Sequence, residues 1–171
     1  AVKFTGNEIL DTFHTLVNPL CPIPSFVARL TGINQSEVDQ APVFSAVSDS
    51  LVEFVGTSGL IGHNVKFDAD FLIKHGIKLT NECYDTWDLA SMLLPFAPDY
   101  SLATLAELFG VDHSKPHRAL PDAEATFGVF CCLLKLMRNL DASWLVRINR
   151  LAKRAKWPIH ALIESAQRES L

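Results

Sequence analysis

The chain has 171 residues, of which 49% are hydrophobic and 20% are charged, as in ordinary globular proteins. This length suits one domain, or one domain with an appendage. Because no apolar run approaches the ~18–20 residues that cross a bilayer, the sequence excludes a membrane-spanning helix and predicts no membrane partner.

The N-terminus reads Ala1-Val2-Lys3-Phe4, with neither a Met nor the layout of a secretory signal. We therefore expect the natural protein to start upstream of Ala1. Four scattered cysteines (Cys21, Cys83, Cys131 and Cys132) include no C-x-x-C pair and predict reduced core residues in a cytoplasmic protein. Their spacing also disfavours a zinc site shared with His117.

The net charge of −4 conceals an uneven distribution. Residues 1–134 contain 7 Lys and Arg against 16 Asp and Glu, a net charge of −9, whereas residues 135–171 contain 8 against 3, a net charge of +5. An acidic body that binds a polyanion needs bound cations or a local basic surface. The basic tail is either such a surface or a solvated helix face.

The first part of the chain predicts a β-hairpin followed by short helices. Apolar residues and alternation place the two arms at residues 2–4 and 9–17, around a Thr-Gly-Asn turn. Helices are predicted over residues 25–30, over 35–39 with Asn34 as its cap, and from Pro42 onward, with the proline in the first turn.

The next stretch predicts a strand, a tight turn and a helix. The strand covers residues 60–63, and the helix covers 66–75 with Gly76 at its end. Asn64 is a plausible helix cap. Phe67 and its apolar neighbours are expected to pack, so Asp68 between them is either a partner of the helix dipole or a metal ligand.

The remainder predicts mainly helices, with extended pieces at residues 77–79 and 83–84. The helices are one capped by Asp85 or Thr86 and ending at 93, one over 102–109 between Ser101 and Gly110, a long one over 119–138, and two in the tail at 144–153 and 158–168. Helices alternating with strands after a hairpin predict an α/β fold with a mixed sheet.

A second candidate pair is His117 and Asp122. His117 lies in a polar loop, where a histidine that titrates near neutrality suits a general base. Asp122 follows in the first turn of the long helix, where a carboxylate could bind a divalent ion. The spacing H-x-x-x-x-D is weak evidence alone, but it gains weight beside the G-H-N-x-x-F-D of residues 62–68.

Four segments together resemble the DEDDh 3′–5′ exonucleases, the DnaQ-like branch of the ribonuclease H-like fold. That family includes the proofreading epsilon subunit of bacterial DNA polymerase III and the exonuclease domain of DinG-type helicases. The segments occur in the family's order over about residues 1–135: F-H-T-L-V-N-P at 13–19 with L-T-G-I at 30–33, the stretch 62–72, Y-S-L-A-T-L-A at 100–106, and 117–126. D-T-W-D-L-A at 85–90 also fits.

The resemblance implies a two-metal phosphodiesterase that uses Mg²⁺ or Mn²⁺ and releases nucleoside 5′-monophosphates from DNA. It implies that Asp68 and Asp122 are metal ligands and that His117 is the general base. It also assigns substrate contacts to four residues, namely Thr31, His63, Asn64 and Phe71. The implied substrate is the 3′ end of single-stranded DNA, with RNA left open, and the implied partner is a polymerase or a covalently linked helicase.

One element of the family pattern is absent from the sequence. The Asp-x-Glu of the family's first strand would precede Ala1, so this chain would begin in the second strand. We expect that strand to be encoded upstream or supplied by other residues. The alternative is a catalytically inactive module that binds nucleic acid or docks within a larger helicase or polymerase.

The predicted domains are a DnaQ-like exonuclease domain at residues 1–135 and a helical extension at 136–171. The extension contains Trp144 and Trp157 among its basic residues. Either these tryptophans pack the extension onto the body, or they stack on bases while the cations contact phosphates.

Overall fold

The computed structural model describes residues 1–169, without the side chains of residues 168 and 169, and within that range it confirms the α/β class. The strands are β1 (Val2–Thr5), β2 (Glu8–Thr12), β3 (Leu60–Gly62) and β4 (Cys83–Asp85). The helices are α1 (Ser25–Thr31), α2 (Gln35–Asp39), α3 (Phe44–Val55), α4 (Val65–Lys74), α5 (Thr86–Leu93), α6 (Leu102–Phe109), α7 (Ala119–Arg138), α8 (Ala142–Arg154) and α9 (His160–Glu169). None of these described helices combines the length and the apolar character that a bilayer crossing needs.

The described strands form two separate pairs instead of the single mixed sheet that the sequence predicts. β1 and β2 are antiparallel, and β3 and β4 are parallel. Helix α7 packs against both β1 and β3. Each pair therefore has one member resting on α7 and free edges that no described strand occupies.

The hairpin is shorter than predicted, because its second arm ends at Thr12 and not at residue 17. Phe13 still exchanges two hydrogen bonds with Ala1, of 2.9 and 2.8 Å, and no described residue continues the pairing. The chain then turns, and Asn18 donates its N–H to the Pro42 carbonyl at 2.8 Å. This bond keeps Pro42 outside the helix that it was predicted to open, and α3 begins at Phe44.

Most helix boundaries agree with the caps read from the sequence. The Asp85 carboxylate accepts the N–H of Trp87 at 2.9 Å, and Ser101 accepts that of Thr104 at 3.2 Å. The bounds of α6 and α7 coincide with their predicted bounds. Side-chain oxygens that satisfy the first N–H groups fix where these helices start.

The core lies between the helices of the second half of the chain. α7 packs against α5, α6 and α9, and α9 packs against α8. One cluster joins these helices through fully buried side chains, among them Leu89, Leu105, Leu133, Leu145 and Ile163. The helical extension therefore shares its core with the body.

The two tryptophans of the extension behave differently. Trp157 is half-buried and donates its indole N–H to Asp88 Oδ2 of α5 at 3.3 Å. Burial raises the pKa of Asp88, and the bond from Trp157 acts in the opposite direction. Trp144 is 56% exposed. Of the two tryptophans, Trp157 is therefore the one that packs the extension onto the body.

Two packing predictions are wrong. Cys21 is exposed and the other three cysteines are half-buried, although all four are free thiols as predicted. Phe67 is 71% exposed, because the first turn of α4 turns this face away from the core. Asp68 on the next position is likewise open to solvent.

Candidate active site

The turn from β3 into α4 is held by an aspartate from the neighbouring strand. Asp85 accepts the backbone N–H groups of Asn64 and Val65, at 3.0 and 2.8 Å. Asn64 has a left-handed φ of 65° and its side chain makes no cap bond, so its predicted capping role belongs to Asp85. A Cβ on Gly62 would lie 2.9 Å from Cβ of Val65, so this close turn requires glycine.

His63 is fixed beside this turn by a buried threonine. Its Nδ1 lies 2.9 Å from Thr86 Oγ1, which also lies 3.2 Å from the Gly62 carbonyl oxygen. Both bonds form together only if Thr86 donates to Gly62 and accepts from His63, which assigns the proton to Nδ1. Burial lowers the pKa of His63 and favours its neutral form, while the Asp85 charge and the backbone carbonyl of Tyr100 as an acceptor oppose this shift.

Asp68 lies in the first turn of α4. The residue as a whole is exposed, but its carboxyl group is crowded enough that burial raises its pKa. Its own backbone N–H acts against this rise, and the Asp85 charge adds to it. The ionised form of Asp68 is thus disfavoured here, and a cation bound at this position would stabilise that form.

Ala1, the first residue before β1, lies within electrostatic reach of Asp68 in α4 and of Glu124 in α7. Burial lowers the pKa of its amine, whereas the charges of Asp68 and Glu124 raise it. The charges of α4 and α7 thus both reach the start of β1. Within the part of the chain that the structure describes, no hydrogen bond or ion pair links Asp68 directly to Asp122.

Asp122 is held by a histidine that the sequence reasoning missed. His113 Nε2 lies 2.7 Å from Asp122 Oδ1, and the His113 side chain is only 11% exposed. The segment before His117 was treated as a polar loop, and nothing in the spacing indicated a fold back onto α7. His113 thus orients Asp122 in the first turn of that helix.

His117 occupies the same loop, in an exposed position with a left-handed φ of 65°. The loop is fixed on both sides of it. His113 binds Asp122 on one side, and on the other Arg118 Nη1 donates to the Thr31 carbonyl at 3.2 Å. The fixed loop brings His117 to the start of α7 without restraining its imidazole by any described hydrogen bond.

Thr31 lies beside an open groove of about 340 Å³. Its hydroxyl donates to the Val27 carbonyl at 2.8 Å and accepts the Ile33 N–H at 3.2 Å. Apolar residues of the segment after β2 line the groove together with Arg118. Of the four predicted substrate contacts, Thr31 is thus next to the His117 loop.

Phe71 lies one turn beyond Asp68 on α4. Its ring packs on His75 at 4.2 Å between centroids and meets the edge of Phe44 at 5.7 Å. The residue remains 46% exposed. Its position at i+3 from Asp68 places both residues on the same side of α4.

Side chains of the described residues do not by themselves form a complete divalent-metal site. No group of three or more His, Cys, Asp or Glu side chains is arranged to hold an ion in this part of the chain. Asp68 and Asp122 each offer one carboxylate, the oxygen donor that Mg²⁺ prefers. A site built on them needs further donors.

Comparison with known proteins identifies the family of this chain. A family profile described as "Exonuclease" matches residues 1–130. The chain is 38% identical over 153 residues to the PolC-type DNA polymerase III of Caldanaerobacter subterraneus subsp. tengcongensis, covering 87% of this chain and 11% of that protein. It is 32% identical over 158 residues to the 3′-5′ exonuclease DinG of Bacillus subtilis, covering 90% of this chain and 17% of that protein.

A solved structure shares the fold. Exonuclease X in complex with 5′ overhanging duplex DNA superposes with a TM-score of 0.66 at 24% identity, over 78% of this chain and 79% of that one. The ribonuclease H-like exonuclease fold predicted from the sequence is thereby confirmed. The chain spans less than a fifth of the length of the two curated relatives.

Proposed function

The chain belongs to the exonuclease family, and on that premise we propose that it is the nuclease part of a 3′–5′ exonuclease that acts on DNA. The proposed reaction hydrolyses phosphodiester bonds and releases nucleoside 5′-monophosphates. The observation that supports it is that β3, which leads into α4 and Asp68, packs on α7, the helix that carries Asp122 next to the His117 loop.

We assign His117 as the general base. It lies in an exposed loop that two anchors hold on either side, so its imidazole can reach a water molecule without losing its position. A positioned base of this kind contributes about 10²- to 10⁴-fold to rate. His63 is not assigned this role, because its Nδ1 bonds Thr86 and its ring is half-buried beside the turn from β3 into α4.

Members of this family generally use divalent metal ions. We propose that Asp68 and Asp122 are ligands in such a site, with two ions as the finer form of the proposal. The described residues lack a third donor near them. The proposal therefore requires acidic ligands from elsewhere in the natural protein.

The strand arrangement supports one position for those ligands. β1 and β3 both rest on α7, and no described strand pairs with the second edge of either. A strand between them would complete one sheet. It would pass the start of β1, which the charges of Asp68 and Glu124 both reach. We propose that this strand carries the missing carboxylates.

A direct experiment uses the natural protein in full, with a single strand labelled at its 5′ end. We expect Mg²⁺- or Mn²⁺-dependent shortening from the 3′ end. Asp122→Ala should abolish it, and His117→Gln should slow it about 10²- to 10⁴-fold. Asp49→Ala removes an exposed carboxylate on α3 and serves as the matched control.

The assignment is wrong if Asp122→Ala retains full activity. Competition between DNA and RNA strands of one sequence identifies the preferred polymer. The relatives also motivate a polymerase or a linked helicase as the partner, which co-purification with the full natural protein would detect.

A second candidate function is an inactive module that binds nucleic acid or docks within a larger assembly. The absence of a three-donor group in the described residues favours it. Full natural protein that binds DNA but hydrolyses none with either metal would support the module over the enzyme.

A further inference from the structure

The outward face of α8 carries three arginines in a row. Arg147, Arg150 and Arg154 follow at spacings of three and four residues, so they lie on one side of the helix. The opposite side contains Leu145 and Ala152, which are fully buried against the rest of the protein. All three arginines are exposed.

Acidic side chains are missing around these arginines in the part of the chain that the structure describes. Among the described residues none of the three forms an ion pair, whereas Lys153 on another side of α8 bonds Glu164 of α9. Between residues 142 and 163 the sequence has five basic residues and no Asp or Glu. Like charges at these spacings repel each other along a helix, and a bound polyanion would remove that repulsion.

An exposed aromatic ring borders the row. The Arg147 guanidinium carbon lies 5.5 Å from the centre of the Trp144 ring, and that residue is 56% exposed. A tryptophan open to solvent beside a guanidinium group offers a stacking face for a base next to cations for phosphates. Trp157 offers no such face, since it packs toward Asp88.

We propose that Trp144, Arg147, Arg150 and Arg154, here called the α8 surface, bind single-stranded nucleic acid apart from the active site. The inference builds on the proposed function, since the ligand is the same polymer. Charge complementarity supports it: residues 1–134 carry a net charge of −9, and residues 135–171 carry +5. The basic end is where a polyanion meets least repulsion.

The position of the apolar residues distinguishes nucleic acid from an anionic membrane. Trp144 and Leu151, which is 61% exposed, lie at the border of the outward face, and the arginines lie at its centre. A helix that enters a lipid surface presents its apolar residues at the centre of the face that faces the membrane. The inner face of α8 cannot take that role, because it is buried against α9.

The test measures binding without hydrolysis. The full natural protein is titrated into fluorescein-labelled dT20 in EDTA, with anisotropy read over a series of salt concentrations. Arg147→Gln/Arg154→Gln should weaken binding about tenfold and reduce the log–log salt slope by about 1.4, because each lost phosphate contact changes it by about 0.7. Lys74→Gln/Lys78→Gln removes the same charge from exposed lysines of the body and should change neither value.

Trp144 has its own prediction. Trp144→Ala should weaken binding about fivefold or more, whereas Trp144→Phe, which keeps a stacking ring, should retain most of it. Circular dichroism of each variant verifies that α8 remains folded.

Three results would overturn the proposal: wild-type affinity in the arginine pair variant, an equal loss in the lysine control, or binding to phosphatidylserine vesicles without binding to dT20. The outcome is independent of catalysis, since no metal is present. An Asp122→Ala chain that binds dT20 normally separates the α8 surface from the active site. A hydrolysis assay without activity would refute the proposed function alone.

Discussion

The two halves of the chain are built differently. Of the buried apolar residues that the structure describes, only Val38, Val65 and Ile77 precede Leu89, and the other fourteen lie from Leu89 onward. The second half is a helical core. The first contributes four helices with at most one buried residue each and two strand pairs, of which β2 is exposed throughout and whose outer edges no described strand occupies. The candidate active site lies where they meet, at the starts of α4 and α7.

This contrast teaches which half can stand alone. Helices satisfy their own backbone groups, so α5 to α9 need only bury an apolar face. A strand needs a neighbour, and β1 and β3 each have a neighbour on one side among the described strands. We expect the first half to depend on an added strand for full order, and the second half to depend on its buried side chains.

The largest test of the contrast compares two isoleucines. Ile163 in α9 is fully buried, and Ile73 in α4 is 55% exposed. Ile163→Ala should lower the free energy of unfolding by about 2–5 kcal/mol through lost burial and a cavity. Ile73→Ala should change it by no more than about 0.5 kcal/mol. Urea unfolding measures both, and equal losses would erase the distinction between the halves.

A second test concerns the contact between the end of β3 and the start of α5. Thr86→Val preserves the shape of a fully buried side chain but removes the hydroxyl that joins His63 to Gly62. Leaving those groups without a partner should cost about 1–3 kcal/mol of unfolding free energy. Thr80→Val, in an exposed position, is the control. A loss no larger than that of the control would show that this network does not hold the halves together.

The pH dependence of stability sharpens the same point. Burial lowers the pKa of His63 in the folded chain. Below the ordinary histidine pKa of 6.5, the unfolded chain therefore binds more protons than the folded chain. The stability that His63 contributes is therefore present above pH 6.5 and is lost as the pH falls through the lowered pKa. His63→Gln should flatten this slope in urea unfolding as the pH is lowered from 6.5. An unchanged slope would contradict the role given to burial.

The smallest expected effect is at Asp88, on the contact between body and extension. Burial raises its pKa, so ionisation lowers stability as the pH rises above its ordinary value of 3.8. Asp88→Asn keeps an acceptor for the Trp157 indole and should change the unfolding free energy by less than about 1 kcal/mol at pH 7. A much larger loss would mean that the charge itself holds the extension.

Sequence reasoning succeeded where local chemistry decides structure. The caps Asp85 and Ser101 and the bounds of α7 follow from residues close in the chain. It failed where a residue distant in sequence decides the structure. Asp85, and not Asn64, bonds the first backbone N–H of α4, and His113 bonds Asp122. The hairpin arm ended early for the same reason, since a strand lasts only as long as its neighbour.

The sequence predicted individual residues of the candidate site but not their arrangement in space. Asp68, His117 and Asp122 came from motifs, whose spacing says which residues to compare but not how near they lie. The packing of α7 on β1 and on β3, the strand that leads into Asp68, depends on long-range contacts that motif spacing does not reveal. Their joint action in one site remains the central prediction.

A double-mutant cycle tests that prediction most directly. Asp68→Asn, Asp122→Asn and the double variant are made in the full natural protein, and kcat/KM is measured for metal-dependent release of nucleotides from a 3′ end. If both carboxylates serve one site, each single change should cost at least about a hundredfold and the double should cost little more than the worse single change. Losses that multiply, or a single variant with wild-type activity, would contradict the account.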